Sequence, residues 1–285
     1  MKPLLPLLIQ VAVANCRRYQ NRTCDRALLR EATSRYIAAQ STGQPQWLST
    51  LLSGNATLVE NNAEVSIPQS LVLNKSLPIA HARHIYDTEA CASFSSLTSL
   101  APPMGSGYQI GTQLRLDAGT RKITKIDSIV TRPGDLYFNT SHALHYLLRE
   151  DWGEIPRRDR ESRTAIRAAA DAYYAYFSNA STVVPWGTPC DRLEGGAYMG
   201  QGLANDSCDA GLPPFSVEMR DRRYVIDETV GSVNILSEFG ILGPDSHEFR
   251  VEKGRIRWIH AMTFCRGTLN CDAPEFPGLT EDVGW

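Results

Sequence analysis

Six residues in the last third of the chain carry side chains suited to moving protons: Glu194, Asp227, His247 and His260, with Arg223 and Tyr224 shortly before Asp227. An imidazole titrates near neutrality and transfers a proton well when a carboxylate holds it. Asp227 or Glu194 is expected to orient His260, and Arg223 or Tyr224 to hold an enolate oxygen as charge develops. His260 ends a run of period two, opposite Ile259 and on the same face as Trp258. The candidate catalytic set is therefore His260, Asp227, Glu194 and His247. The candidate substrate-binding set is Arg223, Tyr224, Trp258, Trp186 and Tyr198, the aromatic members serving equally well as core or pocket lining. The same residue types allow a second reading, in which Arg222, Arg223, Asp227, Glu194 and His247 form a satisfied polar network without catalysis.

Other chemistries find little support. The seven cysteines form no Cys-x-x-Cys, so zinc and thioredoxin-like chemistry are not expected. His81 and His84 face opposite ways on a strand. His142 and His145 could share a helix face, but no carboxylate completes a metal site there. Gly105-Ser106-Gly107 has Ile110 where a dinucleotide loop needs its third glycine, and no Gly-x-Ser-x-Gly turn occurs. Neither metal nor organic cofactor is expected. Lys+Arg 29 against Asp+Glu 31 gives a net charge of −2, which offers nothing to neutralise a nucleic-acid backbone.

The elements that would position these groups occur twice. Cys24 to Gln40 carries Leu29, Ala32, Tyr36 and Ala39 at helical spacing, and Ser162 to Phe177 carries Ile166, Ala169, Tyr173 and Tyr176. Each helix is followed by a leucine–glutamate patch, Leu58–Asn62 and Arg192–Gly196, and then by an Arg-led strand ending in an acid, Arg83–Asp87 and Arg222–Asp227. Each half closes with a period-two hairpin around a glycine turn, Gln113–Asp127 and Glu248–His260. The offset is about 135 residues. Ser141 to Asp151 reads as a connecting helix and Trp152 to Arg160 as a charged linker. The expected class is α+β, with a first domain over 15–140, a linking segment over 141–160, a second domain over 161–272 and a tail over 273–285.

Met1 and Lys2 followed by the apolar run Leu4–Ala14 read as a secretory signal peptide covering 1–14, too short to span a bilayer. Asn21, Asn55, Asn74, Asn139, Asn179 and Asn205 each begin Asn-x-Ser/Thr, six among eleven asparagines, and are expected to lie on exposed backbone carrying glycans. An oxidising compartment makes disulfides the default for the cysteines. Spacing leaves connectivity open, and proximity favours Cys190–Cys208 and Cys265–Cys271, leaving Cys24–Cys91 as a long bridge and Cys16 odd.

The segments Val184–Gly196, Arg222–Glu228 and Asp245–Arg250, with Asp245 through Met262 as closing strands, resemble the SnoaL-like polyketide cyclase superfamily, which shares the cone fold of nuclear-transport-factor-two-like proteins. More specifically, the chain resembles a secreted fungal family largely lacking assigned function. Glu60-Asn61-Asn62 and Gly107–Gly111 are the recognisable parts of the first half. The resemblance implies two tandem cone-shaped domains, each a curved antiparallel sheet covered by helices around an apolar pocket; it transfers no reaction. Enzymatic relatives place an Asp/His or similar acid–base pair in that pocket. First-cavity candidates are Glu60, Arg83, Asp87 and Asp127. Aligning the turn glycines Gly119 and Gly254 sets Lys125 against His260 and Thr112 against His247, so the second cavity is expected to be the active one. The leading expectation is a metal-independent biosynthetic enzyme of fungal secondary metabolism, of isomerase, dehydratase, cyclase or pericyclase type, acting on a polyketide- or terpenoid-like molecule. The alternative is a non-catalytic secreted glycoprotein that binds a small apolar or aromatic molecule or a host component. Cone-fold relatives often dimerise through the sheet's convex face, so the chain is expected to be a monomer with paired halves or a homodimer.

Overall fold

A computed structural model describes residues 24–103, 105–212 and 216–272. The signal-like segment, Cys16, Asn21 and the tail lie outside the described residues. In chain order the elements are α1 (Arg26–Thr42), β1 (Leu52–Glu60), β2 (Ala63–Glu64), β3 (Ile79–Asp87), β4 (Ala92–Ala101), β5 (Ser106–Asp117), β6 (Lys122–Thr131), α2 (Thr140–Leu147), α3 (Arg163–Tyr176), β7 (Trp186–Glu194), β8 (Ala197–Met199), β9 (Met219–Asp227), β10 (Ser232–Phe239), β11 (Gly243–Glu252) and β12 (Arg255–Thr263).

The repeat is reproduced strand for strand. One sheet runs β2-β1-β6-β5-β4-β3 and the other β8-β7-β12-β11-β10-β9. Both are curved, six-stranded and helix-covered, and the fold is α+β. In each, the first long strand lies parallel to the last and the other pairings are antiparallel. The leucine–glutamate patches are the ends of β1 and β7, each turning at once into a short return strand. Asn61 and Asn62 take left-handed conformations in one turn and Gly195 in the other, as tight two-residue hairpins require.

Helices begin where short polar side chains cap them. Asp25 accepts from the Leu28 N–H at 2.7 Å and Ser162 from Ala165 at 3.2 Å. The apolar stripe of α1 (Leu29, Ala32, Tyr36, Ala39) packs on Leu97, Ile110, Leu114 and Ile126 of its sheet. That of α3 (Ile166, Ala170, Tyr173, Tyr174) packs on Ile235, Phe249 and Ile259. The connecting helix is shorter than expected, and Trp152 of the supposedly charged linker turns inward to half-burial.

The two sheets stack through the faces remote from their helices. Ile85, Ala92 and Phe94 meet Val225 and Val230, and Ile129 meets Leu236 and Met262. At Gly111 a methyl group would stand 2.9 Å from Ser246 Oγ, so only glycine permits the approach. The seam is reciprocal. Arg26 of α1 pairs with Asp227 at 2.7 Å, while Arg163 of α3 grips Asp87 with two bonds of 2.7 Å. Asp227 also accepts the Tyr86 N–H and Asp87 the Ile226 N–H, each at 2.9 Å. Such an exchange is the signature of a two-fold interface, here closed within one chain.

Three disulfides join Cys24 to Cys91, Cys190 to Cys208 and Cys265 to Cys271, the pairing that proximity favoured. They suit an oxidising compartment. Among the described residues no helix is long and apolar enough to cross a membrane. Asn55, Asn74, Asn179 and Asn205 are exposed. Asn139 departs from expectation. It is half-buried, its Oδ1 accepts the His142 N–H at 3.0 Å to cap α2, and it is wedged between Gly105 and Gly196. Glycopeptide mapping of protein from a secreting host is expected to find sugar at the four exposed sites and an unmodified Asn139. Full occupancy at Asn139 would show that this cap opens before the glycan is added.

Candidate active site

The register of β11 against β12 decides which candidate groups can meet. His247 pairs with Ala261 and Ala261 with Glu194, so His247 and Glu194 share the face beneath α3. Glu248 pairs with His260, placing both on the opposite face, at the seam. Asp227 and Arg223 also lie at the seam, on Arg26 and on Asp127 respectively. Trp258 shares the His260 face, and Tyr198 reaches Glu150. Tyr224 returns to the α3 face, where its hydroxyl donates to Asp171 at 2.6 Å. The expected catalytic quartet is thus split between two faces of one sheet. The carboxylate on His260 is Glu150, at 2.6 Å, in place of Asp227 or Glu194.

What the α3 face does assemble is a continuous polar chain. Arg192, two residues before Glu194 on β7, forms an ion pair with Glu194 and donates to the Tyr173 hydroxyl. That hydroxyl lies 3.3 Å from His247 Nε2. His247 Nδ1 is 2.5 Å from Asp245 Oδ1, and Asp245 Oδ2 accepts from Thr263 at 2.8 Å. A guanidinium has only donors and a carboxylate only acceptors, so at one end Arg192 donates to the Tyr173 hydroxyl and at the other Asp245 accepts from His247 Nδ1.

Every member is buried: Asp245 and His247 are 0 % exposed, Tyr173 1 %, Arg192 3 % and Glu194 1 %. Burial raises the Tyr173 phenol above its ordinary range, so Tyr173 stands as a neutral donor. Burial alone would lower the Arg192 guanidinium, but Tyr173 and Glu194 hold it above its ordinary value. Glu194 Oε1 has no hydrogen-bond partner among the described residues. Tyr174, Phe239 and Phe249 fill the surrounding space, and Trp186, half-buried, meets the Tyr173 ring edge-on at 5.9 Å as the outermost layer.

The first half shows what the same positions do without an imidazole or a guanidinium. Tyr36 bonds Thr112 at 2.8 Å, and Thr112 bonds Ser128 at 2.8 Å. Thr112 does occupy the His247 place, pairing with Ser128 as His247 pairs with Ala261. The residue matching His260 is Asp127, however, and Lys125 falls two residues away. The turn after β5 is longer than the turn after β11, so aligned glycines displace the next strand by two residues and preserve its face. Glu60 occupies the Glu194 place but is satisfied, by Ser70 and by the Leu71 N–H at 2.7 Å; burial still raises its carboxyl. Arg83, Asp87 and Asp127 point into the seam and do not join Glu60. Beside Glu60, Leu48, Leu52, Leu58, Val65, Ile67 and Ile126 line an apolar cavity of about 170 Å³.

Sequence reasoning found His247 and Glu194 but missed Asp245, Tyr173 and Arg192 as their partners. One signal was available, since Asp245 and His247 stand at i and i+2 on a strand and therefore share a face.

Residues 159–263 match a family model described as a domain of unknown function, DUF8021. No curated protein matches the chain. Among solved structures, similarity extends to a protein of unknown function with a cystatin-like fold from Methylobium petroleophilum PM1. It is 11% identical over 39% of this chain and 80% of its own, with a TM-score of 0.31. A DUF4783 family protein from Bacteroides fragilis YCH46 is 18% identical over 34% and 96%, with a TM-score of 0.25. An NTF2-like protein of unknown function from Shewanella baltica OS155 is 12% identical over 37% and 92%, with a TM-score of 0.25.

Proposed function

We propose that the chain is a secreted, cofactor-free biosynthetic enzyme of fungal secondary metabolism, of isomerase, dehydratase, cyclase or pericyclase type. Its substrate is a polyketide- or terpenoid-like molecule, and its proton-handling group is Tyr173. The single observation behind this reading is the Asp245–His247–Tyr173–Arg192 chain. At the places of Asp245, His247 and Arg192 the first half has Ile110, Thr112 and Leu58, so it is the second half that puts a carboxylate, an imidazole and a guanidinium there. Burying such groups costs several kcal/mol unless they are fully paired, and ionisable clusters of this kind concentrate at functional sites.

The chemistry follows from the two ends of the chain. Passing the Tyr173 proton to His247 Nε2 leaves an imidazolium against Asp245 and a phenolate against Arg192, so each new charge meets its opposite. The phenolate takes a proton from carbon next to a substrate carbonyl, and the reformed phenol returns one at a second carbon. The aromatic walls suit an apolar, ring-bearing substrate, which enters by displacing Trp186. The sequence resemblance, the signal-like N-terminus, the exposed glycosylation motifs and the three disulfides support the secreted setting.

The test is hydrogen–deuterium exchange next to the carbonyl of a panel of apolar cyclic ketones, followed by NMR. Wild-type protein is expected to accelerate exchange on at least one ketone, and Tyr173→Phe to lose about 10²–10⁴-fold of that rate. Equal rates for the two proteins remove Tyr173 from the chemistry. The first-half cavity favours a second reading, in which the protein only binds a small apolar molecule. Saturable ketone binding that Leu58→Arg abolishes, with no exchange above background, would establish that reading instead.

A further inference from the structure

The two ends of the seam are equivalent by topology but not by chemistry. Arg83 and Arg223 each stand four residues before the aspartate that receives the other half's helix arginine. Asp127 and His260 are matched as well, since each pairs with the residue preceding Glu60 or Glu194. At one end Arg223 meets Asp127 at 2.8 Å, with Lys125 on the same carboxylate at 2.7 Å and Asn62 accepting from Arg223 at 2.6 Å. That clamp contains no histidine.

At the other end Arg83 meets Glu248 at 2.5 Å and His260 Nδ1 at 3.0 Å. The linker closes over them. Glu150 Oε2 lies 2.6 Å from His260 Nε2 and accepts from the Trp152 indole at 2.7 Å, and the Arg83 guanidinium stacks on the Trp152 ring at 3.6 Å. Tyr198 of β8 reaches Glu150 at 3.3 Å. His81 lies two residues before Arg83, on the same face of β3, and its Nδ1 is buried with no hydrogen-bond partner among the described residues. His84 is on the opposite face, against Ser95 at 3.1 Å. The neighbouring helix α2 carries His142 and His145, whose rings stack on each other and meet Tyr146 edge-on.

We propose that this end of the seam is an acid-sensitive latch, in which protonation of His81 releases the Ile79–His84 end of β3 from the linker and from β12 while the Arg223–Asp127 end holds. Both ring nitrogens of His260 are already engaged. Arg83 donates to Nδ1, which ties β3 to β12 at this end. His81 shares its face of β3 with Arg83, two residues on, and its Nδ1 has no acceptor among the described residues, so an added proton there sets one cation beside another. Burial, then Arg83 and His260, lower the His81 imidazole to about 4, against a smaller opposing pull from Glu248. Released to solvent it returns to about 6.5. The closed seam therefore binds fewer protons than the released one between about pH 6.5 and 4. Closure is complete above that window and weakens as pH falls through it. Burial alone would raise the Glu150 carboxyl, but His260, Trp152 and Arg83 hold it below its ordinary range, so it stays ionised while His81 titrates. The inference does not depend on the chemistry proposed for Tyr173.

The test is amide hydrogen exchange, read by mass spectrometry on the full chain at pH 7.5 and pH 5 and corrected for intrinsic rates. Opening at residues 79–84 and 148–155 is expected to increase about tenfold at pH 5, after allowance for the partial exposure of His81. Segments 122–127 and 219–225 are expected to stay unchanged. His81→Gln and His84→Gln each remove part of the increase, since burial lowers the His84 imidazole to about 4 as well. Since His81 is half-buried, H81Q keeps the fold and decides the matter. Opening at 79–84 that is independent of pH, an equal rise at 122–127 and 219–225, or an undiminished rise in H81Q overturns the latch.

Discussion

Replacing Arg192 by alanine is expected to lower the unfolding free energy by about 3–5 kcal/mol, the usual cost of breaking a buried ion pair from one side. Arg192 is 3 % exposed and is the cation for Glu194, itself 1 % exposed, while it also donates to the Tyr173 hydroxyl. Its removal leaves Glu194 and Asp245 as buried carboxylates on one face of the sheet with no guanidinium between them. The double variant Arg192→Met/Glu194→Leu is expected to recover most of that loss, because it removes both desolvated charges and fills their volume with apolar atoms. Urea titrations of the three proteins check this. A double variant as unstable as Arg192→Ala would mean that packing at Tyr173, and not the unpaired charge, sets the cost.

Removing the Cys24–Cys91 bridge is the second large effect. It closes a loop of 67 residues, against 18 for Cys190–Cys208 and 6 for Cys265–Cys271. On the chain-entropy relation these correspond to about 4, 3 and 2 kcal/mol respectively. The double replacement Cys24→Ala/Cys91→Ala is therefore expected to be the least stable of the three bridge deletions by denaturant midpoint. The bridge ties the start of α1 to the turn between β3 and β4, next to Arg26 and Asp87 of the seam. A smaller loss than that from deleting Cys265–Cys271 would show that the start of α1 is already ordered in the unfolded ensemble.

Much of the architecture was legible because its signals are local. The stripe Ile166, Ala169, Tyr173 marks a helix whatever it packs against, and the alternation around Gly119 and Gly254 marks hairpins with a definite inside and outside. Alternation also put His260 with Trp258 and opposite Ile259, as the structure has it. What no alternation supplies is which of two buried faces lies under the helix. Both faces of these sheets are covered, one by α3 and one by the other sheet, so His260 and His247 look equally interior from sequence. The partners of His260 come from far away in the chain: Arg83 from the other half, and Glu150 from the end of a stretch that reads as a connecting helix. Tyr173 was assigned to the core stripe, and there it is. Only the three-dimensional approach of its hydroxyl to His247 and Arg192 gives it a second role.

The exchanged arginines have a consequence for how this molecule can exist at all. Asp87 is neutralised by a helix that begins 76 positions later, and Asp227 by one that begins 201 positions earlier. A gene broken between α2 and α3 would encode two polypeptides that each carry a bare acid where the sister's cation belongs, with a greasy sheet back exposed beside it. Each fragment is therefore expected to need a companion sheet to neutralise that acid and cover that face, whether the sister half or a second copy of itself.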